Sequence, residues 1–333
     1  MLNKYSKLLA ILLAFVFIVS CSDDDTNNPS GSNESQIIAE HIESTTNYVN
    51  SGMPAMITAS DLQLDIAINK AYVIDIRKDV DFKAGHIKNA VNVGPTDVLT
   101  HVQGKDLTAY SKIAIVCYSG QTASWATSLL RLMGYNNAFT LKFGMSSWNE
   151  STNSWKTGIS NLRASEFTTE ATPKGAAGNL PTISTGVSSP EAILETRVKA
   201  VFAEGFDAAK ISADVVFGSL SSYYIVNYWS EAHYNDPGHI PGAIQYSPKN
   251  DNAKSDLSYS QKLSTLPTDK PVVVYCYTGQ TSAHMVAYLR VLGYDAKSLL
   301  YGANGMIYNL IDGKAEFAVW HDTYCMNYEL VTD

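Results

Sequence analysis

Cysteine is scarce. The 333 residues hold four, Cys21, Cys117, Cys276 and Cys325, spaced too widely for a C-x-x-C redox or zinc motif. Four are also too few to staple a chain of this length as a disulfide framework. Excess positive charge is lacking as well: 24 Lys and Arg stand against 32 Asp and Glu, a formal net charge of −8. Residues 1–20 contain Lys4 and Lys7 and no acid, so without them 22 basic residues face 32 acidic ones, a charge of −10. That balance argues against nucleic acid as a partner, because a polyanion needs a basic footprint. No long apolar run is present either. The run at residues 8–19 has 12 residues, whereas a membrane-spanning helix needs about 20. What is there is a chain 45% apolar and 17% charged. It can build packed interiors without staples, and it is long enough for about two domains of roughly 150 residues.

The short run has a function of its own. Lys4 and Lys7 precede it, and it ends in Ile18-Val19-Ser20-Cys21. This resembles a bacterial lipoprotein signal, which implies removal of residues 1–20 and acylation of Cys21. Several acyl chains on Cys21 would hold the protein on a membrane face. Ser22-Asp23-Asp24-Asp25 resembles the surface-export signal of some Gram-negative lipoproteins. The implied location is the outer membrane, facing the periplasm or the cell surface. Residues 23–36 are rich in Asp, Asn, Ser, Gly and Pro and read as a flexible tether.

The rest of the chain repeats itself. Cys-Tyr-Ser-Gly-Gln-Thr at 117–122 matches Cys-Tyr-Thr-Gly-Gln-Thr at 276–281, and Leu130-Arg131 and Gly134-Tyr135 recur at the same offset of 159. Upstream, Gly85-His86-Ile87 matches Gly238-His239-Ile240 at an offset of 153. The expected organisation is a signal at 1–20, a lipidated tether with a leading helix at 21–54, and one domain at 55–160. A linker at 161–187, Ser/Thr/Gly-rich with Pro173 and Pro181, leads to a second domain with a C-terminal tail at 188–333. Within each copy, short apolar strands (71–76, 112–117 and 271–276) alternate with helical stretches (122–133 and 282–292) that stop at Gly134 and Gly293. This pattern predicts an α/β fold, each domain a mainly parallel sheet flanked by helices.

Cys117 and Cys276 fall at the carboxyl ends of buried strands, before a glycine turn and a helix. Ligands of open α/β sheets collect there. The turn aims backbone N–H groups inward, and the helix start adds partial positive charge. Both effects favour a thiolate, so the cysteine pKa is expected to fall. A persulfide, also an anion, would sit in the same cradle. Gly120 and Gly279 allow the positive φ that the turn needs.

The Cys-x-x-Gly loop, with Gly-His-Ile upstream and Asp75-Ile76-Arg77 ahead of it, resembles the rhodanese family of sulfurtransferases. Gly-His-Ile-Pro-Gly-Ala at 238–243 is an especially good match. The resemblance covers both copies. It implies two tandem rhodanese-like domains in which Cys117 and Cys276 carry a sulfane sulfur from a small donor to a thiophilic acceptor. The persulfide-binding loops are then Tyr118, Ser119, Gly120, Gln121 and Thr122, and Tyr277, Thr278, Gly279, Gln280 and Thr281. Asp75, Arg77, His86 and His239 are implied as structural support, with Arg77 ion-paired to Asp81 or to a loop carboxylate. No metal or organic cofactor is implied, and the oligomeric state is not readable.

Two departures stand out. Many active family members carry arginines at the second and sixth loop positions, which here are Tyr118 and Thr122, then Tyr277 and Thr281. Thiosulfate, a dianion, would be held weakly without them, and Gln121 and Gln280 are the substitute donors. The second copy also replaces Asp-x-Arg with Asn227-Tyr228-Trp229. The Cys-x5-Arg of the family's phosphatase cousins is absent, Ala123 and Ser282 standing in its place, which argues against phosphate chemistry. His284 and its counterpart Trp125 are expected near the pocket mouth at the surface. Tyr223, Tyr224, Tyr228 and Trp229 are expected in strand and inter-domain packing. Cys325 is expected to be a half-buried bystander, with a resolving thiol for Cys276 as the alternative. Two further readings stay open: a binding module on a rhodanese scaffold, and a thiol redox protein.

Overall fold

The structure, a computed structural model, describes residues 33–332. The readings placed on residues 1–20 and on Cys21 lie outside the described residues. Among the described residues no helix is long and apolar enough to cross a membrane.

After helix α1 (Glu34–Thr45), the first copy runs β1 (Met56–Ile57), α2 (Ala59–Ala67), β2 (Ala71–Asp75), α3 (Asp79–Ala84), β3 (Val91–Asn92), α4 (Val98–Gln103), β4 (Lys112–Val116), α5 (Gln121–Leu132) and β5 (Ala138–Leu141). Helix α6 (Pro190–Ala208) opens the second copy. It continues with β6 (Lys210–Ile211), α7 (Ala213–Gly218), β7 (Tyr224–Asn227), α8 (Glu231–Asn235), β8 (Ile244–Gln245), β9 (Val272–Tyr275), α9 (Gln280–Val291), β10 (Ala296–Leu299) and α10 (Asn304–Ile311). The two sheets are β1-β5-β4-β2-β3 and β6-β10-β9-β7-β8, each of five strands. Every pairing within them is parallel. The order is the same twice, so the duplication seen in the sequence is a duplication of topology, and the α/β expectation holds.

Parallel strands are covered on both faces, so they read as continuous apolar runs rather than alternating ones. β9, Val-Val-Val-Tyr, is buried at all four positions, and β4 is buried at four of five. Both helices that follow the cysteine loops end as the sequence suggests. Gly134 takes φ +90° and Gly293 φ +93°. The N–H of Gly134 donates to Arg131 O and that of Tyr135 to Leu130 O; Gly293 and Tyr294 repeat this with Arg290 and Leu289. That pairing is the Schellman cap, which uses up the last helical carbonyls.

The two copies meet along α5 and α9. Ten of the twelve residues of each helix are buried, which leaves almost no solvent face. A surface helix buries one stripe; a helix buried all round is covered by protein on every side. Small side chains allow close approach here: Ser128 Oγ donates to His284 O (2.9 Å) and accepts from the Tyr48 hydroxyl (2.7 Å). Helix α6 packs on both α5 and α9, and Phe202 meets the edge of Trp125 (centroids 5.4 Å apart).

The segments flanking the two copies cross over. Helix α1 packs on α6 and ties to the second copy: Ser35 Oγ donates to Leu292 O (2.7 Å), and the Tyr259 hydroxyl donates to Glu40 (2.6 Å). Conversely, the tail runs onto the first copy. Met326 N donates to Ser147 O, Tyr328 N to Trp148 O, and Val331 pairs with His86 in an antiparallel bridge. The segment at 161–187 hugs the second copy, with Thr168 bridged to His239 and Gly178 N donating to Ser264 O.

The two helix caps differ in their surroundings. A Cβ on Gly134 meets nothing within 4 Å, whereas one on Gly293 would stand 2.5 Å from Ile183 and 3.2 Å from Pro181. We expect Gly134→Ala to cost about 1–2 kcal/mol, from backbone strain alone. Gly293→Ala should cost more, because the linker must also lift. Equilibrium urea denaturation of both variants checks the order, and equal losses would show that the linker is not pressed on the cap.

Candidate active site

Each cysteine sits one residue beyond a central strand. The register sets Asp75 opposite Val116 and Asn227 opposite Tyr275, so Cys117 and Cys276 emerge at the carboxyl edge beside the residues that support the loops. Gly120 (φ +86°) and Gly279 (φ +75°) turn the chain into α5 and α9, as expected of them. The Cys117 sulfur accepts N–H groups from Gly120 (3.2 Å) and Ala123 (3.3 Å). The Cys276 sulfur accepts that of Ser282 (3.3 Å). Two N–H groups therefore cradle the Cys117 sulfur and one reaches that of Cys276, yet both cysteines are only 3% exposed.

Burial overturns the expected pKa of Cys117. It pushes the thiol above its ordinary value, and nearby Asp75 adds to the rise, against the opposing pull of the Ala123, Gly120 and Ser119 N–H groups. Desolvation penalises the thiolate more than the cradle rewards it.

The second copy adds hydroxyls that were not anticipated. The Cys276 thiol donates to Ser282 Oγ (3.5 Å), Ser282 and Ser298 share a hydrogen bond (2.8 Å), and Ser298 Oγ donates to Gly279 O (3.3 Å). In the first copy, Ala123 replaces Ser282, and Thr140 donates instead to Thr127 (2.9 Å). Ser282 was read only as a missing arginine. Its difference from Ala123 between otherwise matching loops was the available signal.

The supporting shells differ. Arg77 does not pair with Asp81. It grips Asp75 with two nitrogens (2.7–3.0 Å) and donates to Gly85 O (2.8 Å), all buried. Asp75 ends the strand two residues earlier and presents both oxygens to the guanidinium, the fork geometry in which Arg binds best. Asp81 instead accepts the Tyr118 hydroxyl, which also receives Lys78 N–H (3.2 Å), and Arg77 lies over the Tyr118 ring (5.9 Å). In the second copy, Asn227 donates to the Tyr275 hydroxyl (2.7 Å), which also accepts the Ile240 N–H (3.2 Å). Tyr275 thus ties down the Gly-His-Ile turn that Arg77 ties in the first copy. Trp229 stacks on Tyr277 (5.2 Å, 16°), Phe317 closes from the side, and the Tyr277 hydroxyl meets His233. Trp229 therefore packs beside its own loop, whereas Tyr228 bonds Ser255 (2.7 Å) and lies in the buried apolar cluster that the two copies share.

His86 and His239 hold their turns. Each sets Nδ1 on a main-chain oxygen, of Phe82 (2.9 Å) and Tyr234 (2.8 Å), and stacks on that residue's ring.

Gln121 and Gln280 are not free donors at the pocket. Each reaches into the opposite copy: Gln121 Oε1 accepts Tyr301 N–H (2.8 Å) and Gln280 Oε1 accepts Phe143 N–H (3.3 Å). A Cβ on Gly120 would stand 2.3 Å from Gln280 Nε2, and one on Gly279 2.3 Å from Gln121 Oε1. The glycines make room for the partner glutamines. Gln121 Nε2 donates to Ser119 Oγ (3.0 Å); the buried Gln280 Nε2 has no partner among the described residues. Thr278 accepts Gln280 N–H (3.4 Å), and Thr122 and Thr281 lie half-buried on the first helical turns.

His284 and Trp125 are fully buried, not at a surface mouth, because the other copy covers their helices. Cys325 is half-buried, its thiol close to Asn327 Oδ1 (3.6 Å) and near Glu150. Cys117, Cys276 and Cys325 are free thiols. Among the described residues, no cluster of three or more His, Cys, Asp or Glu could hold a metal ion.

Two parallel α/β units with a cradled cysteine at the carboxyl edge of each define a duplicated domain of one class. The Rhodanese-like domain family matches residues 58–151 and 221–316, and the chain belongs to that family. It is 30% identical over 78 residues to the thiosulfate sulfurtransferase GlpE of Pseudomonas fluorescens, spanning 23% of this chain and 70% of that protein. A tRNA uridine(34) hydroxylase of Rickettsia rickettsii is 34% identical over 84 residues, 24% of this chain and 34% of that one. Among solved structures, a thiosulfate sulfurtransferase from Pseudomonas aeruginosa aligns over 87% of this chain and 48% of its own, at 14% identity and a TM-score of 0.28.

His284 makes the interface sensitive to pH. Its Nδ1 meets Gln280 O (3.0 Å), its Nε2 accepts the Ala55 N–H (3.4 Å), and burial holds its pKa down to about 4. The unfolded chain binds a proton here near pH 6.5, whereas the folded chain waits until about 4. Between those values the unfolded state holds more protons, so stability rises with pH. We expect up to about 3 kcal/mol to be lost from pH 7 to pH 4 through this group. Denaturation midpoints across that range should fall less steeply in His284→Gln, and an unchanged slope would exclude His284 as the source.

Proposed function

We propose that the protein is a sulfurtransferase that carries a sulfane sulfur as a persulfide on Cys117, Cys276 or both. The donor is thiosulfate-like or a polysulfide, and the acceptor is thiophilic. One observation carries this reading: both copies hold a cysteine whose sulfur accepts backbone N–H at the start of a long helix, two groups at Cys117 and one at Cys276. Family membership and the likeness to a thiosulfate sulfurtransferase support it.

In the first half-reaction the cysteine thiolate attacks the outer sulfur of the donor. The donor's bond to that sulfur breaks, its remainder leaves with the bonding pair, and the cysteine keeps the sulfur as R–S–S⁻. In the second, the acceptor attacks that outer sulfur and the thiolate is regenerated. The cradle N–H groups stabilise both anions. At Cys276, the Ser282 hydroxyl turns to donate once the thiol is ionised, an aid Cys117 lacks. Loop positions two and six carry no arginine, which disfavours a dianionic donor.

The near-complete burial of both cysteines favours one other reading, a rhodanese scaffold used for binding. Intact-protein mass spectrometry of the reduced full chain, after brief exposure to thiosulfate or polysulfide, separates the two. We expect the mass of one sulfur atom to be gained per charged cysteine, discharged by cyanide, and lost at that site in Cys117→Ser or Cys276→Ser. No gain with either donor, together with thiols that resist alkylation while folded, would leave the scaffold.

We also propose a lipoprotein held on a membrane by acyl chains on Cys21, on the basis of Lys4, Lys7 and the apolar run before Cys21. Labelled palmitate should enter the wild-type chain in a bacterial host and not Cys21→Ser. Equal labelling of the two would rule this out.

A further inference from the structure

Beside the Cys117 loop lies a cavity of about 440 Å³, lined by Arg77, Asp81, Tyr118, Asn153, Ser154 and Leu330 among others. It opens at the carboxyl edge of β2 and β4, where ligands of such sheets collect. At the second copy, the matching loop residue Tyr277 is instead packed between Trp229 and Phe317.

The charge of this cavity is unusual for a site meant to receive a sulfur oxyanion. Its one cation, Arg77, is spent on Asp75 and Gly85 O. Asp81 has no cationic partner among the described residues; its carboxylate takes only the Tyr118 hydroxyl. Lys78 is exposed and outside the lining, and Lys83 pairs with Asp79 (2.8 Å). The lining is otherwise neutral hydroxyls, an amide and apolar carbon. A dianion entering here meets an uncompensated carboxylate, and like charges repel.

We propose that this cavity admits donors or acceptors that carry an ammonium group, such as amino-acid persulfides, with Asp81 as the anchor for that cation. This rests on the persulfide reading above. The Cys117 sulfur does not line the cavity; Tyr118, its neighbour in the loop and 37% exposed, does. The donor's sulfur reaches Cys117 when the Tyr118 ring turns aside. The Cys117 thiolate then attacks the outer sulfur of R–S–SH, the donor S–S bond breaks, RS⁻ leaves, and Cys117–S–SH forms. Atoms and charge balance without an added oxidant or reductant.

The test uses full-length Cys276→Ser protein, with Asp81 intact or as Asp81→Asn, which still accepts the Tyr118 hydroxyl. Charging of Cys117 is followed by intact mass with cysteine persulfide, N-acetylcysteine persulfide and thiosulfate. With Asp81 intact, we expect the amine-bearing donor to charge Cys117 about five-fold faster than its acetylated form, the scale of one partly exposed ion pair. Thiosulfate should be slowest. Asp81→Asn should erase the preference. If the donors charge Cys117 and the ratio is the same in both proteins, the ammonium site is wrong while the persulfide carrier stands. If no donor charges either cysteine of the wild-type chain, the carrier reading falls and this inference with it.

Discussion

The structure depends on the close packing of α5 against α9. Each helix leaves its own cysteine loop and immediately becomes the wall of the opposite copy. The reciprocal glutamines, Gln121 on Tyr301 and Gln280 on Phe143, lock that packing at the level of the loops. A positive-φ glycine is then required twice over, for the turn into the helix and for the space the partner glutamine fills. The same packing buries His284 and Trp125. One contact therefore sets the fit of the two loops and the pH response of the interface.

The two copies solve the same mechanical problem with different chemistry. In the first, a buried Arg77–Asp75 pair holds the turn that carries His86. In the second, a phenol, an amide and stacked rings hold the turn that carries His239. A buried ion pair must satisfy nearly all its hydrogen-bonding capacity to repay its desolvation, whereas an aromatic set gains by burial itself. The exchange leaves the buried Trp229 Nε1 and Asn227 Oδ1 without partners among the described residues, so the support in the second copy is not a fully optimised replacement. The outcome is one loop with a polar approach and one enclosed by rings.

Much of this was legible in the sequence. Apolar runs ending at cysteines marked the central strands, and Gly134 and Gly293 marked helix ends, because local geometry demands those residue types there. The repeat exposed the duplication. What stayed hidden depended on partners distant in sequence. Gln121 and Gln280 looked like ligands for an anion because they neighbour the cysteines, and only the second copy reveals them as clasps. Trp125 and His284 looked like surface residues because a helix covered by its own duplicate shows no solvent stripe. Arg77 has Asp81 four residues on, or a loop carboxylate, as its expected partner, but the strand-end Asp75 presents both oxygens to it. The expected drop in the Cys117 pKa counted the N–H groups and left out the burial.

The crossed flanking segments bear on how the chain comes to its final form. Ribosomes deliver residues in order, and domains fold as units while synthesis proceeds. The first copy, although made early, keeps part of its outer wall open until residues 326–331 arrive, since Tyr328 and Val331 lie against Trp148 and His86. Helix α1, made earlier still, has its docking groove only after α6 and α9 exist. Neither half is therefore a finished object when the other is absent. Contacts of such long sequence separation form late and slowly, so the first domain closes only after the second has been made.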